Sequence, residues 1–306
     1  MVYIEIGDPT LNAADKALES NKNKKKFSPY LGFGEIGNYC KRKIFYSFRW
    51  FKVPFFSATA LKLFEDGNIG EMVMAERLRA VDGLELETID PTTNYQYGFT
   101  TLGGHFKGFT DGFITGILQA PKTKHVWENK VASDKKFKEL NKLKGKLDEK
   151  QVLHHWSMTY YCQAVLYMFF SGLNRHYMTV STPGSRESTS IRTNANDEVA
   201  KALINKAESI IFSNTIPWRY SDNPDDMECK FCDYKMICHY SGSVVKNCRT
   251  CVFSDADRSG DWVCNNDMVG KNTVLSLEDQ KKGCPYYIRL TDQWMGGNID
   301  EIGKDK

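Results

Sequence analysis

Alternating apolar and polar positions in the middle of the chain predict a β-hairpin. Residues 108–116 form its first half, and residues 125–131 form its second half after a break that contains proline and lysine. Residues 119–124 are the predicted turn. Because alternate residues of a strand share one side, Glu128 and Lys130 are predicted to project from the same face.

Apolar residues recur at helical spacing over residues 57–81, which predicts an amphipathic helix. A helix is also predicted over residues 34–50, and a single long helix over residues 151–173. A strand over residues 176–181 and a helix over residues 197–214 follow. This order of strands and helices predicts an α/β fold.

Two stretches are rich in lysine. Residues 1–30 are predicted to be loosely organised, and their basic run, residues 21–26, is interpreted as a solvated segment or as an arm that contacts DNA. Residues 134–150 are predicted to form an exposed connection, with contact to a nucleic-acid backbone as the second interpretation. The lysines of this connection are Lys135, Lys136, Lys138, Lys142, Lys144, Lys146 and Lys150.

The composition is that of an ordinary globular protein. The 306 residues are 41% hydrophobic and 26% charged, and the formal net charge of +3 identifies no partner. No N-terminal stretch has the pattern of a signal peptide, and the longest apolar run, within residues 160–173, is too short and too polar to span a bilayer. We therefore expect a cytoplasmic protein that does not act at a membrane.

The hairpin also carries candidate chemistry. If Asp111 lies across from Glu128 and Lys130, two carboxylates and an ammonium converge, which suits a divalent metal and a scissile phosphate. The carboxylates would supply oxygen ligands, and the lysine would orient or deprotonate a water. The alternative is an ion pair on an edge strand. A metal is favoured because unpaired charges in an apolar strand are costly.

Two predicted helices carry further polar residues. Glu71 lies in the helix over residues 57–81, where a glutamate is ordinarily solvated, so its role depends on its position relative to the hairpin. The long helix over residues 151–173 carries an aromatic stripe that includes an amide, which needs hydrogen-bond partners. The members of this stripe are Trp156, Tyr160, Gln163 and Tyr167.

Cysteine usage predicts metal binding. Seven of the nine cysteines lie between residues 229 and 284, which in a reducing compartment indicates metal ligands rather than disulfides. Cys162 is interpreted as a small buried apolar residue. Near the C-terminus, a Cys-x-x-Cys pair and two further cysteines suit a structural zinc site. Its members are Cys248, Cys251, Cys264 and Cys284.

The order of these motifs resembles the RecB-like branch of the PD-(D/E)xK nuclease superfamily over residues 34–240. The motifs are Gly67-x-x-x-Glu71, Asp111, Glu128-Asn-Lys130 and Gln163-x-x-x-Tyr167. The resemblance implies a mixed central β-sheet flanked by helices, the restriction-endonuclease-like core. It also implies that Asp111 and Glu128 are ligands of Mg²⁺ or Mn²⁺, and that Lys130 is the catalytic lysine.

The resemblance extends to two helices. Gln163 and Tyr167 would match a helix that lies beside the active site and the substrate strand. Many relatives have histidine at the position of Glu71, and a glutamate there can still coordinate the metal. Glu71 is therefore carried over as a candidate metal ligand.

The remaining cysteines narrow the resemblance. Cys229-x-x-Cys232-x5-Cys238, with Cys40 upstream, looks like the iron–sulfur pattern of CRISPR-associated RecB-like exonucleases and AddAB-type helicase–nucleases. It implies a [4Fe–4S] cluster on four thiolates, and zinc is the rival because it accepts the same ligands. His239 could replace one ligand in either cysteine set.

Together these features predict a metal-dependent nuclease that acts on DNA, as an exonuclease on single strands or duplex ends. The alternatives are a DNA-binding or complex-assembly protein with weak activity, and an RNA-cleaving endonuclease. Roles in phage recombination, in repair, or with a protein partner in CRISPR-type adaptation are all compatible with the resemblance. The expected parts are a basic segment (1–30), a nuclease core (31–245) and a cysteine-rich zinc module (246–306).

Overall fold

The computed structural model describes residues 7–23 and 27–291. The chain divides into two compact units, each built from separate segments. Unit 1 comprises Met1–Phe27, Val53–Phe99 and Gly108–Lys201, and unit 2 comprises Ser28–Lys52, Thr100–Lys107 and Ala202–Lys306. The sequence instead predicted consecutive parts that meet at residues 30 and 245, and that division stays a prediction.

The described residues form ten α-helices and eleven strands. In chain order the helices are α1 (Pro9–Lys22), α2 (Lys41–Phe48), α3 (Ala58–Arg79), α4 (Asp134–Lys144), α5 (Glu149–Trp156), α6 (Met158–Ser171), α7 (Asp197–Ile211), α8 (Met227–Lys230), α9 (Lys235–Tyr240) and α10 (Leu277–Lys281). The strands are β1 (Leu31–Gly32), β2 (Glu85–Glu87), β3 (Gly98–Thr101), β4 (Phe106–Phe109), β5 (Gly112–Thr115), β6 (His125–Val131), β7 (Arg175–Ser181), β8 (Ser188–Asn194), β9 (Ser254–Ala256), β10 (Trp262–Cys264) and β11 (Thr273–Val274). The predicted α/β class, a mixed sheet flanked by helices, is confirmed.

Unit 1 is organised around a sheet with the strand order β2-β5-β6-β7-β8. The central strand β6 has the predicted bounds, and its Val126 and Trp127 are fully buried. Antiparallel pairing of β5 with β6 confirms the predicted hairpin. β6 pairs in parallel with β7, which requires a long crossover connection, and α4, α5 and α6 provide it.

Helices cover both faces of this sheet. On one face, Met178 and Val180 of β7 join a core cluster with Leu140 of α4 and Val152 of α5. On the other face, Trp127 packs in a cluster with residues of α3, including Met74 and Ala75. The hairpin that carries Glu128 and Lys130 is thus held between helical layers.

The prediction of one long helix over residues 151–173 is wrong. The chain forms α5 and α6 instead, because Ser157 between them is extended, with φ −154° and ψ 103°. The Ser157 hydroxyl accepts a hydrogen bond from the Tyr160 backbone N–H at 3.4 Å and so caps α6. Trp156 therefore belongs to a different helix from the rest of the predicted stripe.

Two lysine-rich segments are more ordered than predicted. Residues 134–144 form α4 rather than an exposed connection, because Phe137 and Leu140 are buried in the core of unit 1. Near the N-terminus, the Asp8 carboxylate accepts bonds from backbone N–H groups of α1 and begins that helix. Lys24, Lys25 and Lys26 of the basic run lie outside the described residues.

Other boundaries differ less from prediction. The amphipathic helix over residues 57–81 is confirmed as α3, with Ser57 as its N-cap. The helix predicted from residue 34 begins only at Lys41. Strand β8 was not predicted, because its polar sequence gives no apolar alternation. Among the described helices, none combines the length and apolar character needed to cross a membrane.

Unit 2 contains α2, the C-terminal helices and a small antiparallel sheet of order β11-β10-β9. Trp262 of β10 is almost completely buried. Cys40 is the N-cap of α2, and its sulfur accepts a hydrogen bond from the Lys43 backbone N–H at 3.4 Å. All of the cysteines except Cys162 belong to the segments of this unit.

Candidate active site

The position of Asp111 follows from the glycine after it. Gly112 lies opposite Trp127 in the β5–β6 pair, which brings Asp111 beside Glu128. A Cβ atom at Gly112 would lie 2.3 Å from the Glu87 carbonyl oxygen, so only glycine permits this close approach of β5 to β2. The backbone N–H of Asn129 donates to Asp111 Oδ2 at 2.7 Å and fixes the carboxylate.

Glu128 and Lys130 share one face of β6, as predicted. Lys130 Nζ lies 2.6 Å from Glu128 Oε1, and the Glu128 side chain is only 3% exposed. The second oxygen, Oε2, is buried and has no hydrogen-bond partner in the described part of the chain. This carboxylate therefore keeps an acceptor that a cation or donor could use.

Burial dominates the electrostatics of these groups. Loss of hydration, together with the Asp111 carboxylate, raises the pKa of Glu128 to about 8. Burial also raises the pKa of Asp111, while Lys130 and the Asn129 N–H lower it in part. Burial lowers the pKa of Lys130, but Glu128 and Asp111 outweigh that effect and the net pKa is raised. Lys130 is thus an ammonium between two carboxyl groups.

Glu71 approaches the same cluster from α3. Burial, and then the charge of Asp111, raises the pKa of Glu71 to about 7, and Lys130 opposes this shift. The preceding residue Gly70 permits the approach, because a Cβ atom there would lie 2.4 Å from Val131 Cγ2. The structure therefore brings Glu71 into electrostatic contact with the predicted hairpin residues.

Gln163 and Tyr167 of α6 form a hydrogen-bonded pair. Gln163 Nε2 donates to the Tyr167 hydroxyl at 2.9 Å, and that hydroxyl donates to the Phe109 carbonyl at 2.5 Å. Tyr167 is only 2% exposed. Its bond to the Phe109 carbonyl supports the segment that leads to Asp111, because Phe109 lies two residues before it. Direct contact of Gln163 and Tyr167 with a substrate strand stays a prediction.

A groove beside Lys130 was not predicted. Its walls come from α3, the end of β6, and the junction of α5 with α6, including Leu63, Asp66, Trp156 and Tyr160. The Lys130 ammonium lies 5.5 Å from the centroid of the Tyr160 ring. The spacing of Tyr160 from Gln163, one helical turn, is the sequence feature that could have indicated this position.

The first cysteine set lines a single pocket in unit 2, together with His239. Its members are Cys40, Cys229, Cys232 and Cys238. Arg42 Nη1 lies 3.9 Å from Cys238 Sγ. Burial, then the neighbouring sulfurs, raises the pKa of the Cys229 thiol.

The second cysteine set lines another pocket in unit 2. Its members are Cys248, Cys251, Cys264 and Cys284. Burial, then the three other sulfurs, raises the pKa of Cys248 to about 12. Over residues 7–23 and 27–291, no three Cys, His, Asp or Glu side chains are arranged to hold an ion. Metal binding therefore stays a proposal at either cysteine set and at the cluster of Asp111, Glu128 and Glu71.

All nine cysteines are described, and none of them forms a disulfide bond. Cys162 is 4% exposed within α6, which confirms that it is buried. The cysteines of the two predicted sets thus fall into two separate pockets, without exchange of members.

Comparisons with known proteins find similar chains among solved structures. No family model matches the chain, and no curated protein matches it. Among solved structures, SSO0001 has a TM-score of 0.42 and 16% identity, over 76% of this chain and 96% of that chain. An alkaline exonuclease (LHK-Exo) from Laribacter hongkongensis has a TM-score of 0.39 and 12% identity, over 64% and 90%. The complex of LHK-Exo with dAMP has a TM-score of 0.38 and 11% identity, over 60% of this chain and 86% of that chain. These TM-scores are too low to support an inference about activity.

Proposed function

We propose that unit 1 is a metal-dependent DNA nuclease, an exonuclease that hydrolyses phosphodiester bonds of single-stranded DNA or duplex ends. The observation that carries the proposal is the buried cluster of Asp111, Glu128 and Lys130 at the β5–β6 pair, with Glu71 in electrostatic contact. Burying three carboxyl groups beside one ammonium costs stability, so the cluster is better explained by chemistry than by folding.

The donor set fits Mg²⁺ or Mn²⁺. Both ions prefer carboxylate oxygens, and Asp111, Glu128 and Glu71 would hold the ion. The unpartnered Glu128 Oε2 supports this assignment, because a buried acceptor without a donor is unfavourable. When bound, the ion would polarise the phosphate and offset the negative charge that develops during hydrolysis.

The protein groups have separate roles in this proposal. Lys130 would donate N–H bonds to the attacking water or to a phosphate oxygen, and its ion pair with Glu128 keeps it charged. The Asn129 N–H orients the Asp111 carboxylate. Tyr167, held by Gln163, anchors the Phe109 carbonyl two residues before Asp111 and so positions that carboxylate.

Unit 2 would carry a cofactor of its own. We propose that the first cysteine set holds a [4Fe–4S] cluster, with zinc as the rival, because four thiols line one pocket in the spacing given by the sequence. Anaerobically purified protein should be brown, with iron and sulfide near four per chain. Colourless protein that contains only zinc would exclude the cluster.

The nuclease proposal is tested with end-labelled single-stranded, duplex and circular DNA, and with matched RNA, in Mg²⁺ or Mn²⁺. We expect DNA ends to be digested, and both Lys130→Ala and Asp111→Ala to lower the rate by about 10²–10⁴-fold. Lys124→Ala is the control, because Lys124 pairs with Glu87 at 2.9 Å at an exposed position just before β6.

Specific outcomes would contradict this proposal. The proposal of nuclease activity would be refuted if no nucleic acid is cleaved with Mg²⁺ or with Mn²⁺, or if Lys130→Ala keeps full activity. Cleavage of RNA alone would replace the DNA substrate with RNA. Digestion of circular as well as linear DNA would replace exonuclease with endonuclease action.

A further inference from the structure

Unit 2 buries an arginine that has no acidic partner among the described residues. Arg249 is 1% exposed, and within residues 7–23 and 27–291 its guanidinium makes hydrogen bonds only to neutral oxygens. Nε donates to Gln280 Oε1 at 2.9 Å, Nη1 to the Phe48 carbonyl at 3.0 Å, and Nη2 to the Pro29 carbonyl at 2.9 Å. A buried cation needs a nearby negative charge as well as hydrogen bonds, so these contacts leave its charge unbalanced.

A second buried arginine lies close by. Arg49 is also 1% exposed, and its Nη1 donates to the carbonyls of Arg249 and Ser254. Its acidic partner is Asp255, at 3.3 Å and partly exposed. The guanidinium groups of Arg49 and Arg249 lie 5.2 and 4.4 Å from the Trp262 ring. Two cations thus lie near one aromatic ring, and a carboxylate contacts one of them, Arg49.

The second cysteine set adjoins both arginines. Arg249 lies within the Cys248-x-x-Cys251 pair. Arg49 Nη1 donates to the Ser254 carbonyl at 3.0 Å, and Ser254 lines the same pocket as Cys251 and Cys264. The two buried arginines therefore belong to residues beside the pocket that would hold negatively charged sulfur.

We propose that the second cysteine set binds one zinc-class divalent cation as a tetrathiolate, and that Arg49 and Arg249 offset part of its charge. Four thiolates and one divalent cation leave two negative charges. The two guanidinium groups and the Asp255 carboxylate together carry one positive charge, which offsets one of the two. The Cys248 thiol donates to the Asp279 and Lys282 carbonyls at 3.3 and 3.4 Å, and it would lose its proton and these bonds when it binds the cation. This proposal does not rest on nuclease activity.

The site is tested on the full-length chain. Metal content is measured after purification, and metal-depleted protein is titrated with Co²⁺, whose thiolate charge-transfer absorption reports sulfur ligands, and then with Zn²⁺ in competition with a chelator. We expect Cys264→Ser to lose this metal and Cys232→Ser, in the first set, to retain it. Protection of the second-set cysteines from alkylation, followed by mass spectrometry, gives an independent measurement.

The arginines are tested by charge. Arg249→Gln should weaken Zn²⁺ binding by about 10–100-fold, the range for residues that support metal ligands. Arg249→Lys keeps the positive charge, so its Zn²⁺ affinity should be closer to that of the unsubstituted protein. Arg258→Gln is the matched control, because Arg258 is exposed and pairs with Glu208 in the same unit. If Arg249→Gln fails to fold, Arg49→Lys and Arg49→Gln provide the same comparison.

Three results would overturn this proposal. The first is absence of Co²⁺ or Zn²⁺ binding that depends on Cys264. The second is iron with sulfide at the second set in place of a single divalent ion. The third is equal loss of affinity in the Lys and Gln variants, which would assign the arginine to hydrogen bonding alone.

Discussion

Two glycines in the interior of α3 provide a matched test of how this helix packs beside the candidate site. Gly67 and Gly70 lie one helical turn apart. An alanine Cβ at Gly67 would meet no heavy atom of the described residues within 4 Å, whereas at Gly70 it would lie 2.4 Å from Val131 Cγ2. We expect Gly67→Ala to stabilise unit 1 and Gly70→Ala to destabilise it relative to Gly67→Ala.

The magnitude follows from two opposing effects. Replacing glycine with alanine inside a helix stabilises by about 0.5–1 kcal/mol at either position, through lower backbone entropy in the unfolded chain. At Gly70 the methyl group must also displace Val131, whose β-branched side chain is stiff, and overpacking of this kind costs about 1–3 kcal/mol. The helix gain cancels in the comparison, so the two variants should differ by about 1–3 kcal/mol.

Urea unfolding followed by far-UV circular dichroism measures this difference, and equal m-values would show that the same surface unfolds in both variants. Mn²⁺-dependent cleavage should fall in Gly70→Ala but not in Gly67→Ala, because Glu71 would move with the displaced helix. Equal stability of the two variants would refute the close packing of α3 against β6.

Three further outcomes test the site. Mn²⁺ affinity, measured by calorimetry, should fall as the pH drops through about 8 and 7, by about tenfold per pH unit for each proton displaced, because Glu128 and Glu71 must ionise to bind. Carboxylates with ordinary pKa values would instead keep the affinity flat down to about pH 5. Asp111→Asn should abolish Mn²⁺ binding yet leave the metal-free protein as stable or more stable, since it removes a desolvated charge; a lower melting temperature in EDTA would contradict this. Tyr167→Phe should lower the free energy of unfolding in urea by about 0.5–1.5 kcal/mol, because the hydrogen bond from the Tyr167 hydroxyl to the Phe109 carbonyl is lost; an unchanged midpoint would show that this bond contributes nothing.

Local pattern was enough to predict the hairpin and α3. β6 has the predicted bounds because its alternation and flanking turn are contained within a few residues. The break at Ser157 was missed because serine is compatible with a helix interior and becomes a cap only when the chain turns there. The helix α4 was missed because its sequence is rich in lysine and has few apolar residues. Burial of Phe137 and Leu140 stabilises this helix only when the core of unit 1 covers them.

Features that depend on distant parts of the chain were not predictable. Arg49 and Arg249 are 200 residues apart, and nothing in either segment indicates that both guanidinium groups are buried near one tryptophan. The same holds for Tyr167, whose partner Phe109 is 58 residues away. The roles of the individual site residues stay predictions, since the geometry brings them together without assigning what each one does.

The topology of unit 1 also has a consequence for the order of folding. Eighteen residues separate Asn129 from Asp111 across the hairpin, whereas 50 separate Asn129 from Thr179 across the parallel pair, a difference worth about 0.9 kcal/mol of loop-closure entropy. We expect the hairpin to pair first, while water still hydrates both carboxylates. The two carboxylates would then lose their water only when α3 and α6 dock on the sheet. Neutralising Asp111 should therefore increase the rate of this late docking step and leave the rate of hairpin formation unchanged.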